Sequence, residues 1–171
     1  MACTQTLAGL VRDCAANVGG IKAVYIANKD DVSGVTLTSD VITAISMESG
    51  AKFKGYYFKR GQASMTSTPA FNDAGDYAGE DTVLSLSFMR QDATKRLEMA
   101  ALSVGELAVI VLDNNGNYWY LGYDNPVLRT GGDSASGAAA TDTNSYGLEL
   151  TDRANQLPYS IDATAVASVI D

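Results

Sequence analysis

The sequence contains no histidine. Histidine is the side chain that titrates near neutral pH and a common zinc ligand. Its absence therefore excludes Ser-His-Asp and Cys-His nucleophilic pairs, histidine proton shuttles, and most zinc and non-haem iron sites. Catalysis would have to rest on carboxylates, lysine or tyrosine, which need burial and a partner to titrate near neutral pH. We therefore expect no catalytic residues, no cofactor and no enzymatic activity.

Cysteine is almost as scarce, since Cys3 and Cys14 are the only two. Without a second pair they cannot form a four-cysteine zinc site, and we expect free thiols, with one short disulfide as the alternative. The acidic pairs Asp30-Asp31 and Glu80-Asp81 do not have the spacing of a calcium loop. The sequence therefore predicts no metal site.

Long hydrophobic runs are also missing. The longest, Leu107 to Leu112, has six residues, whereas a helix needs about 20 apolar residues to cross a bilayer. No basic segment followed by an apolar one precedes Cys3, so neither an export signal nor a lipidated N-terminus is predicted. We expect a protein that does not contact a membrane.

Basic side chains are fewer than acidic ones, 12 against 20. The net charge is −8, and residues 113–171 hold 8 acidic side chains against 2 basic ones, Arg129 and Arg153. The one basic cluster, Lys52, Lys54, Lys59 and Arg60, is interpreted as a solvated strand edge. Because contact with nucleic-acid phosphates needs clustered lysine and arginine, specific DNA binding is not expected.

Strand patterns are what the sequence has in abundance, and 171 residues suit one globular domain. Residues 82–89 show the clearest alternation of apolar and polar side chains. The run 107–112, the turn Asp113 to Asn117 and residues 118–121 predict a β-hairpin. Further strands are predicted at 21–27, 35–37, 41–46, 53–58, 145–151 and 159–161.

One helix is predicted, from about Asp92 to Leu102. Asp92 can cap its start and Gly105 can end it. Apolar residues recur at helical spacing and predict a buried stripe, formed by Ala93, Leu97, Ala100, Ala101 and Val104. Together these patterns predict a mainly β, α+β protein in which one short helix lies against a sheet.

Four segments are predicted to lie outside regular structure. They are an N-terminal arm (1–20), a long inter-strand loop (61–81), a Gly/Ala/Ser loop (130–143) and a C-terminal tail (163–171). The loop at 61–81 contains Phe71 and Tyr77, which a plain solvent loop rarely carries. Loops of this length in a compact domain are usually functional or mobile.

Two segments have features of binding motifs. Gly131-Gly132 opens a Gly-rich stretch, but no Lys-Ser or Lys-Thr pair follows, so a phosphate loop is not predicted. Tyr118, Trp119 and Tyr120 could form a platform for stacking a sugar ring. Alternate residues of a strand face opposite sides, however, and we expect Trp119, the single tryptophan, to pack in the core.

The order of motifs along residues 14–162 resembles structural proteins of tailed bacteriophages, especially those of phages and prophages of gut Bacteroidetes. The resemblance rests on CAANVGGIKAVYIANKDDV at 14–32 and on the segment at 115–162. That segment contains an Asn-Gly hairpin, the aromatic strand YWYLG, a Gly/Ala/Thr loop, the strand NSYGLEL and a Leu-Pro-Tyr close.

This resemblance implies a tail tube or tube-like ring protein. Its fold would be a β-sandwich or β-barrel with one flanking helix and two long loops, assembled as rings of usually six copies. Rings would stack into a conduit through which DNA passes without specific binding. The protein would lie in the tail of the virion, contact other tail or connector proteins, and be assembled in the cytoplasm of the bacterial host.

Candidate functional residues follow from this interpretation. Phe71 and Tyr77 are expected to contact a neighbouring ring. Asp124, Glu149 and Asp162 are expected to contribute acidic groups to the channel or to a seam between subunits. A head-tail connector or tail ring protein of the same fold is one alternative, and a carbohydrate-binding β-sandwich module is another.

Overall fold

A computed structural model describes residues 7–12 and 14–171. Over these residues the chain forms twelve β-strands and two α-helices. The strands of the first half are β1 (Ile21–Asn28), β2 (Val32–Thr38), β3 (Val41–Met47), β4 (Lys54–Tyr57), β5 (Ala63–Phe71) and β6 (Tyr77–Met89). Helix α1 (Ala93–Val104) follows. The second half contains β7 (Leu107–Asp113), β8 (Tyr118–Leu121), β9 (Leu128–Gly131), β10 (Ser134–Ala135), β11 (Ser145–Ala154), β12 (Tyr159–Ile161) and α2 (Ala163–Val169).

The strands form two sheets. The large sheet has seven strands in the order β2-β3-β12-β8-β7-β1-β4, and all its neighbours are antiparallel except β12 and β3. The small sheet has the order β10-β11-β6-β5, and β9 also pairs with β11. The mainly β, α+β architecture with two packed sheets is therefore confirmed, as is the β-hairpin around Asp113 to Asn117.

The main core lies between the two sheets. Strand β1 lies between β7 and the edge strand β4 of the large sheet. It directs Val24 and Ile26 toward the small sheet, where they pack in one cluster with Leu84, Leu86 and Leu148. A bulge between Ile21 and Ala23 brings Ile21 to the same side. Trp119 packs against this core but is only half-buried, and its indole N–H donates to Asp113 Oδ2 at 3.2 Å.

A second core covers the other face of the large sheet. Ala23, Tyr25 and Ala27 alternate with the residues of the main core and pack with residues of α2, namely Ala165, Val166 and Val169. The predicted C-terminal tail (163–171) is therefore wrong, because most of it is a helix. Its apolar side chains pack in the second core, whereas a tail in solvent would leave them exposed.

The predicted long loop (61–81) is also wrong. Most of it belongs to a hairpin of β5 and β6 in which Ala63 pairs with Leu86 and Phe71 pairs with Tyr77. Ser64, Thr66 and Thr68 form the exposed polar face of β5, and only residues 72–76 make the turn. The helix count changes as well, from the one predicted to α1 and α2.

The predicted Gly/Ala/Ser loop (130–143) is partly strand, since β9 ends at Gly131 and β10 covers Ser134 and Ala135. Gly132 has φ +106°, and a Cβ there would stand 2.6 Å from the backbone of Gly147. The glycines of this segment therefore permit two backbones to pass closely. Residues 136–144 contain no strand or helix.

Candidate assembly surfaces

The tip of the β5–β6 hairpin, residues 71–77, exposes two aromatic side chains. Phe71 is 62% and Tyr77 51% exposed, and their rings meet edge to face with centroids 6.2 Å apart. The turn between them is ordered by Asn72, whose Oδ1 accepts from the backbone N–H of Ala74 (3.0 Å) and of Asp76 (2.9 Å). The tip is therefore a shaped apolar surface, and the predicted contact residues Phe71 and Tyr77 lie together on it.

Strand β5, nine residues long, is the outer strand of the small sheet, and in the described part of the chain no strand pairs with its outer edge. The backbone N–H of Ser87 donates to the carbonyl of Gln62. In an antiparallel ladder hydrogen-bonded pairs alternate with non-bonded ones. The register then directs the backbone groups of Ala63, Met65 and Ser67 away from β6. Pro69 has no N–H to offer at the next outward position.

The outer face of the small sheet, which points away from the main core, is rich in hydroxyl groups. It carries Ser64, Thr66, Thr68, Val83, Ser85, Ser87, Gly147, Glu149 and Thr151 by strand alternation. Asp81 and Arg153 lie on the same face and form a two-point ion pair, with N–O distances of 2.7 and 3.1 Å. Among the described strand residues of this face, the basic side chain Arg153 is paired and Glu149 is a carboxylate without an ion-pair partner. Arg60, from the segment between β4 and β5, borders a cavity with Ser64, Ser85 and Glu149 at the margin of the face.

Helix α1 turns its apolar stripe outward, contrary to the prediction. Its buried residues are Met99 and Leu102, which lie about half a turn around the helix from the stripe. Leu97 is 66% and Val104 87% exposed. The helix is held by polar contacts at the edge of the sandwich, where Glu98 accepts from the Tyr56 hydroxyl and Ser103 accepts from Arg129.

The base of the N-terminal arm is hydrogen-bonded to the domain. Residues 17–20 bond to the Asp113–Asn117 turn, where Asn114 Nδ2 donates to the Gly19 carbonyl at 2.8 Å and the Val18 N–H donates to Asn115 Oδ1 at 2.9 Å. Leu7, Leu10 and Val11 are exposed. Cys14 is an exposed free thiol, and Cys3 lies outside the described residues.

The three predicted carboxylates do not come together. Asp162 caps α2 by accepting from the backbone N–H of Thr164 at 2.8 Å. Asp124 accepts from the backbone N–H of Asn155 at 3.0 Å. Only Glu149 lies on the outer face of the small sheet, where its carboxylate can reach solvent. Two of the three therefore stabilise local structure.

Sequence reasoning missed Asp152, which is 2% exposed. Its Oδ2 accepts from the backbone N–H of Gly122 at 3.0 Å, and Lys29 lies near enough to attract it. Burial raises the pKa of Asp152 and lowers the pKa of Lys29, whose ammonium group donates to the carbonyls of Gly122 and Tyr123. The signal was present, because Asp152 continues the inward alternation of Leu148 and Leu150.

The acidic pairs do not converge on a common point. Glu80 and Asp81 point to opposite faces of β6, and Asp31 accepts from Asn28 Nδ2 at 3.0 Å. In the described part of the chain, no three histidine, cysteine or acidic side chains are grouped as metal ligands. Neither α1 nor α2 has the length and apolar character to cross a bilayer, over the residues described.

No protein-family model, curated protein or solved structure matches this chain.

Proposed function

We propose that this chain is a structural subunit that self-associates into closed rings, usually of six copies, which stack into the tail tube of a bacteriophage. The resemblance over residues 14–162 suggests this role. The observation that carries it is the β5–β6 hairpin, which combines a free strand edge with an exposed aromatic tip. In this role the protein is part of the virion tail, contacts other tail or connector proteins, and is assembled in the host cytoplasm.

Lateral contacts between subunits would use the free edge of β5. Unpaired backbone groups along a strand edge pair readily with another strand, and closed rings leave no such edge free. The outward groups of Ala63, Met65 and Ser67 give a neighbouring strand five residues of ladder, and Pro69 stops the pairing. The outward stripe of α1, with Leu97 and Val104, offers a second apolar contact nearby in the ring.

Stacking contacts between rings would use the hairpin tip. Phe71 and Tyr77 are exposed aromatic residues held on a short ordered turn. Exposed aromatic side chains of this kind are enriched at the centre of protein interfaces. The tip therefore offers an apolar contact surface, and the ordered turn holds that surface in a fixed orientation.

The channel wall would be the outer face of the small sheet. Its serine and threonine hydroxyls carry no charge, Arg153 is neutralised by Asp81, and Glu149 repels phosphate. Because DNA affinity comes mainly from basic contacts to phosphate, this wall lets DNA slide. An electrophoretic mobility shift at low salt should show no stable complex, and tight binding that weakens steeply with added salt would contradict the assignment.

Sedimentation velocity of the purified full chain tests the proposal. We expect a species several times the mass of 18.0 kDa, in equilibrium with larger stacks as concentration rises. A single-ring species that never stacks would favour the connector or tail-ring alternative. A chain that stays monomeric at high concentration, even beside a tail initiator complex, would contradict self-assembly.

A further inference from the structure

A cleft of about 490 Å³ lies where the hairpin tip overhangs the large sheet. Tyr77 and Glu80 of β6 form one wall, Trp119 of β8 another, and the segment from Gln156 to Ser160 the rim. Asp40, in the turn between β2 and β3, completes it. The cleft therefore combines aromatic side chains with two carboxylates, although these residues are distant in sequence.

Glu80 is the unusual member of this set. It is only 8% exposed, its Oε1 accepts a 3.3 Å hydrogen bond from the Tyr77 hydroxyl, and within residues 7–12 and 14–171 no group bonds to its Oε2. A buried carboxylate oxygen without a partner is costly to the folded state. Because Glu80 lines the cleft, a cation in the cleft would lie beside this carboxylate and offset its buried charge.

The charge of the lining selects the ligand class. The residues around the cleft include Asp40 and Glu80 but no lysine or arginine. Coulombic interaction with Glu80 contributes, after burial, to raising the pKa of Tyr77, and Asp40 acts in the same direction on Tyr159. Glu80 and Asp40 therefore place negative charge on both sides of the cleft. The faces of tyrosine and tryptophan rings also attract cations.

We propose that this cleft binds an alkylammonium group, with the Glu80 carboxylate as the counter-charge and with Trp119 and Tyr77 as the aromatic walls. The ammonium group would bring both a positive charge and hydrogen-bond donors to the carboxylate. A sugar hydroxyl would bring only the donor, so the two-carboxylate lining favours the cation. The group can come from a free organic amine or from a lysine side chain of a second copy. This inference does not depend on the proposed ring.

The single tryptophan of the chain makes the test direct, because all tryptophan fluorescence comes from Trp119 in the cleft. The probe is n-butylammonium chloride added to dilute protein, with sodium chloride at equal ionic strength and n-butanol as matched controls. We expect a saturable change in emission with n-butylammonium only. No saturable change, or one that n-butanol reproduces, would overturn the proposal.

The substitution Glu80→Gln keeps the shape of the side chain and removes its charge. It should weaken n-butylammonium binding by about tenfold or more, because a charged partner is lost from a buried contact. Glu149→Gln makes the same charge change on the exposed outer face of the small sheet and should leave binding unchanged. Equal weakening by both variants would show general charge attraction and overturn the site.

Asp40→Asn provides a second variant in case Glu80→Gln does not fold. It changes an exposed turn residue and should weaken n-butylammonium binding about two- to threefold, as expected for a solvent-screened charge.

The source of the ammonium group can be distinguished by the concentration dependence of Trp119 emission. Emission that changes with protein concentration without added amine, and only when Glu80 is present, identifies a lysine of a second copy as the source. Emission independent of concentration leaves the free amine. Saturation by a methyl glycoside, without a response to n-butylammonium, would overturn the proposal in favour of a sugar site.

Discussion

Replacing both aromatic residues of the hairpin tip, as Phe71→Ser with Tyr77→Ser, should abolish stacking of rings and leave the subunit folded. Their exposed fractions are 62% and 51%. Aromatic side chains bury about 200 Å² each, so a stacking contact could cover roughly 220 Å² of them, which corresponds to about 5.5 kcal/mol for each subunit. Losing even half of this energy raises a dissociation constant by almost a hundredfold.

Within the subunit the same change removes one edge-to-face ring pair, about 0.5 to 1.5 kcal/mol, and the hydrogen bond from the Tyr77 hydroxyl to Glu80, about 1 to 3 kcal/mol. The midpoint of thermal unfolding should therefore fall by roughly 5 to 15 degrees for a chain of this size, with the subunit still folded at room temperature. The assay is the critical concentration for polymer formation, measured by pelleting and by counting stacked rings in electron micrographs. Leu128→Ser, which removes an apolar side chain that is 46% exposed on β9 and that no proposed contact uses, is the control for stacking. A double variant that polymerises at the wild-type critical concentration would refute the role of the tip.

Three further predictions concern the edge, the buried acid and the turn. Ser67→Pro should block ring closure by removing an outward N–H, whereas Ser67→Ala, which loses the same hydroxyl, should assemble, as native gels would show. Burial raises the pKa of Asp152 in the folded state above its value in the unfolded chain. The free energy of unfolding should therefore fall as pH rises from the unfolded-state pKa through the folded-state pKa, because the buried group must then ionise. Asp152→Asn should then flatten the pH dependence and raise the unfolding midpoint at neutral pH, and a lowered midpoint would contradict this. Asp113→Ala should cost about 2 kcal/mol in urea unfolding, because four donors around the turn lose their acceptor. Burial alone would raise the pKa of Asp113, but these hydrogen bonds together lower it, so the stabilisation should disappear at acid pH as the group protonates.

Local patterns predicted the strands well. The alternation at 82–89 and the turn at Asp113 to Asn117 are short-range signals, and both elements formed where they were expected. The hairpin at 63–81 was missed because its polar residues are equally common in loops, and because the first residues of β6 are strand only through their pairing with β5.

The direction in which an element faces was harder to predict than its existence. The spacing of apolar residues correctly placed α1 but assigned the wrong face to the core, because Met99 and Leu102 on the opposite face are the residues that pack there. The cleft could not be predicted, because Asp40, Glu80 and Trp119 are brought together only by the packing of the two sheets.

The central claim is that the chain closes into rings around a channel. Negative-stain electron microscopy of the purified full chain, at concentrations spanning the appearance of large species in sedimentation, tests this claim most directly. The account predicts annular particles with a central hole, and tubes of the same diameter as the concentration rises. Uniform particles of about the 18.0 kDa subunit size, without a hole at any concentration and with or without a tail initiator complex, would contradict it.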